Sequence, residues 1–128
     1  MVEIIKNIVI CGSAKYIEEI NVFANKLRDK EYDVIDLKMV PYPSTYDPLE
    51  KLANKEFYFD KIKEADLILV YDKDGYVGLA TAMEIQFSLD DSGRRPVRFL
   101  YVPEKIEFRA IIMSPNYNAT VDSRWLNI

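Results

Sequence analysis

The chain has 128 residues and a net charge of −4, with 49% hydrophobic and 30% charged residues, which is typical of a single acidic domain over residues 1–128. The acidic balance and the lack of a basic stripe argue against a nucleic-acid polymer as a partner. No apolar run approaches the roughly 20 residues that span a bilayer, and no signal-peptide pattern opens the chain. The one cysteine, Cys11, cannot form an internal disulfide. We therefore expect a cytoplasmic protein with no membrane partner.

The chain contains no histidine. This excludes Ser-His-Asp, Cys-His and histidine–metal chemistry within one chain. The Walker A and G-x-G-x-x-G motifs are missing, and the loop CGSAKY (residues 11–16) lacks the Ser/Thr-rich run of a flavin phosphate site. Acid–base or nucleophilic work therefore falls to carboxylates, tyrosines, lysines or Cys11, and we expect neither a metal nor a cofactor.

Strands and helices alternate along the chain. Apolar, β-branched runs predict five strands, and apolar residues at helical spacing predict three helices. The segment Val40–Pro48 carries three prolines and is predicted to be a loop. The C-terminal segment 114–128 is polar with a late Trp125-Leu126, which indicates a closing helix or an arm on a neighbour. The predicted strands are 4–12, 32–37, 65–72, 96–102 and 109–113, and the predicted helices are 14–30, 49–64 and 81–91.

This alternation predicts an α/β domain, doubly wound, with helices on both faces of a five-stranded parallel sheet in the order 2-1-3-4-5. Ligands of such folds bind beyond the carboxyl ends of strands 1 and 3. The loops at that point are CGSAKY and DKDGYVGLAT (residues 72–81). Asp66 opens strand 3 at the opposite end, so we expect it to be structural.

Glu84 admits two interpretations. Thr81-Ala82-Met83-Glu84 matches a capping box, in which Thr81 caps the third helix and Glu84 reaches back to the cap. Alternatively, Glu84 is a carboxylate held near the start of the helix and aimed at a sugar anomeric carbon, as in retaining glycosidases. Gly75 and Gly78 would then let a ligand approach the backbone. The spacing alone does not separate the two interpretations.

Other polar residues of the two loops are candidates of the same kind. Gly12 and Ser13 either contact a sugar or phosphate, or make the turn and cap the first helix. Asp72 and Asp74 either protonate a leaving nucleobase or are exposed loop acids without a role. A further group of aromatic residues either stacks on a base or packs in the core or against a second subunit. Its members are Tyr42, Tyr46, Phe57, Tyr58 and Phe59.

Three segments, VICGS, ADLILVYDKDGYVGLATAMEI and RPVRFL, together resemble the nucleoside 2-deoxyribosyltransferase superfamily, which includes the 2′-deoxynucleoside 5′-monophosphate N-glycosidases. The resemblance covers about residues 8–100. It implies a flavodoxin-like fold, assembly as a homodimer or higher homo-oligomer, and Glu84 as the nucleophile at C1′ of deoxyribose. Substrate contacts would come from both loops. The residues concerned are Cys11, Gly12, Ser13, Gly75, Tyr76, Gly78 and Thr81.

The resemblance has departures that leave the reaction open. The family pattern is similar to Asp-x-Gly-Leu-Gly-x-Glu, whereas here Tyr76 stands near the aspartate position and the glutamate comes two residues later. Hydrolysis is therefore as plausible as transfer to a second base. Two alternatives remain: a nucleotide-binding module without turnover, and a phosphoribohydrolase of the cytokinin-activating type. The latter is ranked lower because the segment 74–78 lacks its double glycine.

Overall fold

The computed structural model describes residues 4–39, 48–91 and 95–128. These residues form an α/β arrangement in which a parallel sheet is combined with helices, as predicted. The helices are α1 (Ile17–Asp29), α2 (Pro48–Glu64) and α3 (Leu79–Gln86). The strands are β1 (Asn7–Gly12), β2 (Asp33–Ile35), β3 (Leu67–Tyr71), β4 (Tyr76–Val77), β5 (Val97–Phe99) and β6 (Lys105–Ile106).

Within the described residues, the main sheet has four parallel strands in the order β2-β1-β3-β5. Its centre is the pairing of β1 with β3, which runs from Ile8 opposite Leu67 to Gly12 opposite Tyr71. Both strands are apolar and buried, as expected for central parallel strands covered on two sides. A second sheet consists of β4 and β6. The ends of β1 and β3 therefore lie side by side, and the two loops of interest leave from the same edge.

The two faces of the sheet are covered by different elements. Alternate residues of the central strands point to opposite faces, so each strand contributes to two apolar clusters. Ile8 and Ile10 pack with α1 residues such as Phe23 and Leu27, and with Trp125 of the C-terminal segment. Val9 and Cys11, which alternate with them along β1, contribute to the other cluster together with residues of α2 and α3. Helices thus pack against both faces of the sheet.

Asp66 is structural, as predicted. It precedes β3 at the amino edge of the sheet, where its Oδ2 accepts hydrogen bonds from the backbone amides of Lys6 and Asn7 at 2.9 and 2.8 Å. These two amides lie at the start of β1. The pKa of the Asp66 carboxyl is lowered, chiefly by these bonds. Asp66 thus ties the starts of the two central strands together.

The prediction of a fifth strand at 109–113 is wrong. Arg109–Met113 form a 3₁₀ helix in which Ile111 is fully buried and Met113 is 82% exposed. The place beyond β5 is instead reached by Val121, which forms a single parallel bridge with Phe99. The C-terminal segment closes as a 3₁₀ helix, Ser123–Asn127, which matches the predicted closing helix.

Several predicted boundaries also differ. The first helix opens with a 3₁₀ turn, Ala14–Tyr16, before α1. Pro48 belongs to α2 and not to the preceding loop, whose residues 40–47 lie outside the described part. The third helix begins at Leu79 and ends in a π-helical turn, Phe87–Asp91. Its predicted stop at Ser92-Gly93 also lies outside the described residues. None of the helices in the described ranges is long and apolar enough to cross a membrane.

Candidate functional site

The loop after β1 and the loop after β3 are in direct contact. Nζ of Lys15, in the first loop, lies 4.2 Å from the centroid of the Tyr76 ring in the second. The hydroxyl of Tyr16 donates to the backbone carbonyl of Lys73 at 3.3 Å. Lys73 also forms an ion pair with Glu19 of α1 at 2.6 Å. The structure therefore brings together the two segments that the sequence singles out.

Gly12 is needed for the close approach of α1 to the sheet. A Cβ at this position would lie 2.7 Å from Cδ1 of Ile20 and 3.1 Å from the carbonyl oxygen of Tyr71. Ser13 follows as the N-cap of the 3₁₀ turn, and its Oγ accepts from the amide of Lys15 at 3.4 Å. Turn formation and capping therefore explain both residues, whether or not a ligand also contacts them.

The segment after β3 turns back sharply. Asp74 and Gly75 both have positive φ, 60° and 75°. Asp74 is exposed, whereas Gly75 is buried against the 102–104 segment, with its carbonyl accepting from the amide of Glu104 at 2.9 Å. A Cβ at Gly75 would lie 3.0 Å from the carbonyl oxygen of Val102. Gly75 is thus required by this turn for both conformation and space.

Asp72 is a buried carboxyl, and not one of two exposed loop acids. It is 0% exposed, and its Oδ1 accepts from the amide of Tyr101 at 2.8 Å. Within the described residues, its Oδ2 is buried and has no hydrogen-bond partner. Burial raises the pKa of Asp72 to about 7, although the amide bond from Tyr101 acts in the opposite direction. Asp72 can therefore gain or lose a proton near neutral pH, whereas Asp74 lies in water.

Glu84 is not a capping residue. The N-cap of α3 is Gly78, so Thr81 lies inside the first turn and Glu84 in the second. The capping-box interpretation is therefore wrong: Thr81 is not at the cap, and Glu84 is too far along the helix to reach back to it. Thr81 and Glu84 are instead buried, at 3% and 9% exposure.

The Glu84 side chain lies near two buried side chains, Cys11 of β1 and Tyr58 of α2. Burial raises the pKa of the Cys11 thiol and of the Tyr58 phenol well above their usual values, and the negative charge of Glu84 adds to both shifts. The three side chains therefore lie within electrostatic range of one another. The Tyr58 hydroxyl donates to the carbonyl of Ile10 at 2.6 Å, just beyond Val9, the last β1 residue paired with β2. Cys11 and Tyr58 therefore stay protonated and uncharged at neutral pH.

Tyr76 and Gly78 lie between the turn at Gly75 and the helix α3 that carries Glu84. Tyr76 is half-buried in β4, and a Cβ at Gly78 would lie 3.4 Å from the Tyr76 ring. This is an ordinary contact, so Gly78 is not forced by space in the way that Gly75 is. Gly78 is buried, and its carbonyl accepts from the amide of Ala82 at 2.9 Å as α3 begins.

The predicted aromatic group divides between core and surface. Tyr58 is buried, whereas Phe57 and Phe59 are half-buried. The Phe59 ring stacks on Phe87 with centroids 4.2 Å apart. Tyr42 and Tyr46 lie outside the described residues. The side chains of α2 described here therefore pack mostly within the molecule, and the stacking role on a nucleobase remains a hypothesis.

Sequence reasoning missed the residues that surround Asp72. Its two aromatic neighbours, Tyr101 and Tyr117, lie about 30 and 45 positions further along the chain. The charge of Asp72 contributes to a raised pKa of Tyr117, after the larger effect of burial. Lys15 was missed as well, although its position two residues after the predicted cap is a usable signal. No short-range pattern points to Tyr101 or Tyr117.

Two cavities can be described in residues 4–39, 48–91 and 95–128, and Glu84 lines neither of them. In the same ranges, no group of three or more Cys, Asp and Glu side chains is arranged to hold a metal ion. The candidate site thus combines Glu84, which is buried near Cys11 and Tyr58, with the buried carboxyl of Asp72 just after β3.

Comparisons of the chain with family models, curated proteins and solved structures found no match.

Proposed function

We propose that this protein breaks the N-glycosidic bond of a (deoxy)nucleoside or nucleoside 5′-monophosphate, by hydrolysis or by transfer to a second base, with Glu84 as the nucleophile at C1′. The observation that carries the proposal is the position of Glu84. The capping role that would have explained this glutamate is excluded, because Gly78 caps the helix. Glu84 is only 9% exposed, and burial of an ionisable side chain is frequent at functional sites.

The electrostatic surroundings of Glu84 support a nucleophile. Burial keeps its neighbours Cys11 and Tyr58 protonated, so neither of them is an activated nucleophile. A carboxylate with few water molecules around it attacks an oxocarbenium-like centre more readily than a solvated one. The segments VICGS and YVGLATAME, which resemble the deoxyribosyltransferase superfamily, supply the substrate class.

Asp72 is the better of the two candidate proton donors. A leaving nucleobase must be protonated at a ring nitrogen, and a donor with a pKa near the working pH is suited to that task. The pKa of Asp72 is raised to about 7 by burial, and its Oδ2 has no hydrogen-bond partner among the described residues. Asp74 is exposed and has no such environment. We therefore assign the proton to Asp72 and keep Asp74 as a turn residue.

The remaining parts of the proposal follow from the same resemblance. Gly12, Ser13, Tyr76 and Gly78 would border the sugar and its 5′ end. The fold would be flavodoxin-like, with the Val121 bridge beside β5 as a reduced fifth strand. The chain would act in the cytoplasm as a homodimer or higher homo-oligomer, without a metal or cofactor.

A second candidate is a nucleotide-binding protein without turnover. It is favoured by the low exposure of Glu84. In that case a nucleotide would bind at the two loops, and Glu84 would only shape the pocket. The two candidates differ in one measurable property, which is the release of free base.

The test is a panel of 2′-deoxynucleosides, ribonucleosides and their 5′-monophosphates, with free base followed by chromatography. We expect base release by the wild type and a loss of at least about 100-fold in Glu84→Gln. Glu56→Gln, on the exposed side of α2, is the matched control and should keep full activity. Nucleotide binding without base release would favour the second candidate. Equal release by wild type and Glu84→Gln would exclude Glu84 as the nucleophile.

A further inference from the structure

A cavity of about 490 Å³ lies at the amino edge of the sheet, opposite the two loops. Its lining includes Leu67 at the start of β3, Pro96 just before β5, and Trp125 of the C-terminal 3₁₀ helix. Cavities of this size are typical of small-molecule sites. Because Glu84, Asp72 and both loops are at the other edge, this cavity is separate from the proposed active site.

One wall of the cavity is aromatic. The rings of Tyr32 and Trp125 meet edge to face, with centroids 5.7 Å apart and planes inclined at 65°. Both rings are half-buried, so part of each stays accessible. Ile5 and Leu67 add apolar surface beside them. This wall suits a flat, apolar ring system of a ligand.

The acidic groups of the cavity already have their hydrogen-bond donors. Oδ2 of Asp66 accepts from two backbone amides. Asp122 is held by Arg124 through two side-chain bonds of 2.9 and 3.0 Å. Neither carboxylate therefore needs a donor from a ligand, and the charge of Asp122 is largely compensated by Arg124.

Arg98 is the group with unused donors. It lies on β5 and is half-buried, and among the described residues its guanidinium makes one hydrogen bond, from NH1 to the carbonyl of Val97 at 2.9 Å. A guanidinium has five N–H donors in a planar fork that matches a carboxylate. Arg98 therefore offers unused donors and a positive charge to the cavity, although this charge also helps to lower the pKa of Asp122.

We propose that this cavity binds a small planar aromatic carboxylate, whose carboxylate pairs with Arg98 and whose ring packs against Trp125 and Tyr32. The ligand is an anion with one or two rings, and its binding does not depend on the reaction proposed for the other edge. Asp66 and Asp122 also line the cavity, so an uncharged or cationic ring compound is the control that shows whether the carboxylate of the ligand contributes to binding.

Trp125 is the only tryptophan of the chain, so intrinsic tryptophan fluorescence reports on this cavity alone. The probes are benzoate and its uncharged counterpart benzamide, each titrated up to about 10 mM at constant ionic strength. We expect a saturable change with benzoate and binding at least tenfold weaker with benzamide. No saturable change with benzoate, or equal binding of the two probes, would overturn the proposal with the wild-type protein alone.

Variants then locate the contact. Arg98→Gln should weaken benzoate binding at least tenfold, whereas Arg109→Gln, at an exposed arginine of another segment, should leave it unchanged. Tyr32→Leu removes part of the aromatic wall and should weaken benzoate and benzamide to the same degree. Unchanged benzoate binding in a folded Arg98→Gln variant would contradict the assigned role of Arg98.

Discussion

Gly78 occupies the N-cap of α3, and Glu84 lies six residues beyond it in the second turn. This relationship decides between the two interpretations of the segment, because a capping box requires the acid at the third helical position. Glu84 instead enters the cluster around Cys11 and Tyr58. The Tyr58 side chain in this cluster is fixed by the hydrogen bond from its hydroxyl to the carbonyl of Ile10, and the first prediction concerns this bond.

Tyr58→Phe should lower the free energy of unfolding by about 1–3 kcal/mol, because it leaves the buried carbonyl of Ile10 without its donor. The change keeps the ring and its packing. Tyr16→Phe is the control: its hydroxyl bond to Lys73 is longer, at 3.3 Å, and only partly buried, so the expected loss is below about 1 kcal/mol. Urea unfolding of both variants measures the difference. Equal losses would contradict the described role of Tyr58.

Asp72 makes the stability of the protein depend on pH. Its pKa is about 7 in the folded state and near the ordinary 3.8 when unfolded, so the folded protein holds a proton that the unfolded chain releases. The contribution of Asp72 to stability is therefore largest below about pH 4, falls as the pH rises towards 7, and levels off above it. At about 1.4 kcal/mol per pKa unit, the loss is on the order of 4 kcal/mol.

Asp72→Asn should remove this dependence and be more stable than the wild type at pH 8, with the difference shrinking towards pH 4. Thermal unfolding across this pH range measures it. Asp74→Asn, at the exposed turn residue, is the control and should follow the wild-type pH profile. The opposite result would be an Asp72→Asn variant that is less stable than the wild type at pH 8. It would mean that the pKa of Asp72 in the folded state lies below the ordinary 3.8.

The same variant tests the proton donor. Asp72→Asn should slow base release from ordinary nucleosides by roughly 10²–10⁴-fold. N7-methyl-2′-deoxyguanosine carries a base that is already cationic, so its release should be nearly unaffected. An equal loss on both substrates would mean that Asp72 acts on something other than the leaving base. Retention of full activity on both would exclude it from the reaction.

The two glycines of the loop after β3 should respond differently to alanine. Gly75→Ala places a Cβ at positive φ and within 3.0 Å of backbone atoms of the 102–104 segment, so we expect a loss of about 2–4 kcal/mol. Gly78→Ala meets only an ordinary 3.4 Å contact with Tyr76 and should cost about 1 kcal/mol or less, mainly at the cap. Denaturant unfolding of the two variants checks the order, and the reverse order would contradict the turn geometry.

The sequence predicts those elements whose pattern is repeated over many residues. The α1 positions Ile20, Phe23, Ala24 and Leu27 are buried at helical spacing, and the central strands are continuously apolar. The run Arg109–Met113 is too short to show a period, and its isoleucines suit a strand as well as a 3₁₀ turn. In the structure Ile111 is buried, whereas Ile112 and Met113 are exposed, so this run does not show the alternation of a strand.

The site is predicted less well than the fold. The sequence correctly predicts that the loops after β1 and β3 meet, because chain order fixes which strand ends lie at one edge. It gives the wrong start of α3, because Gly78 caps the helix without a polar side chain and Thr81 is the more recognisable signal. Asp72 accepts a bond from the amide of Tyr101 and acts electrostatically on Tyr117, and both residues are distant in sequence and carry no local pattern.

The central claim is that Glu84 forms a covalent bond with C1′ of a deoxyribose. A 2′-fluoro-arabinonucleoside slows the breakdown of such an intermediate, so intact-mass and peptide-mass spectrometry can detect it. We expect one added sugar on the peptide that contains Glu84 and none in Glu84→Gln. Base release by the wild type with the sugar attached to another residue, or persistence of the same adduct in Glu84→Gln, would contradict it.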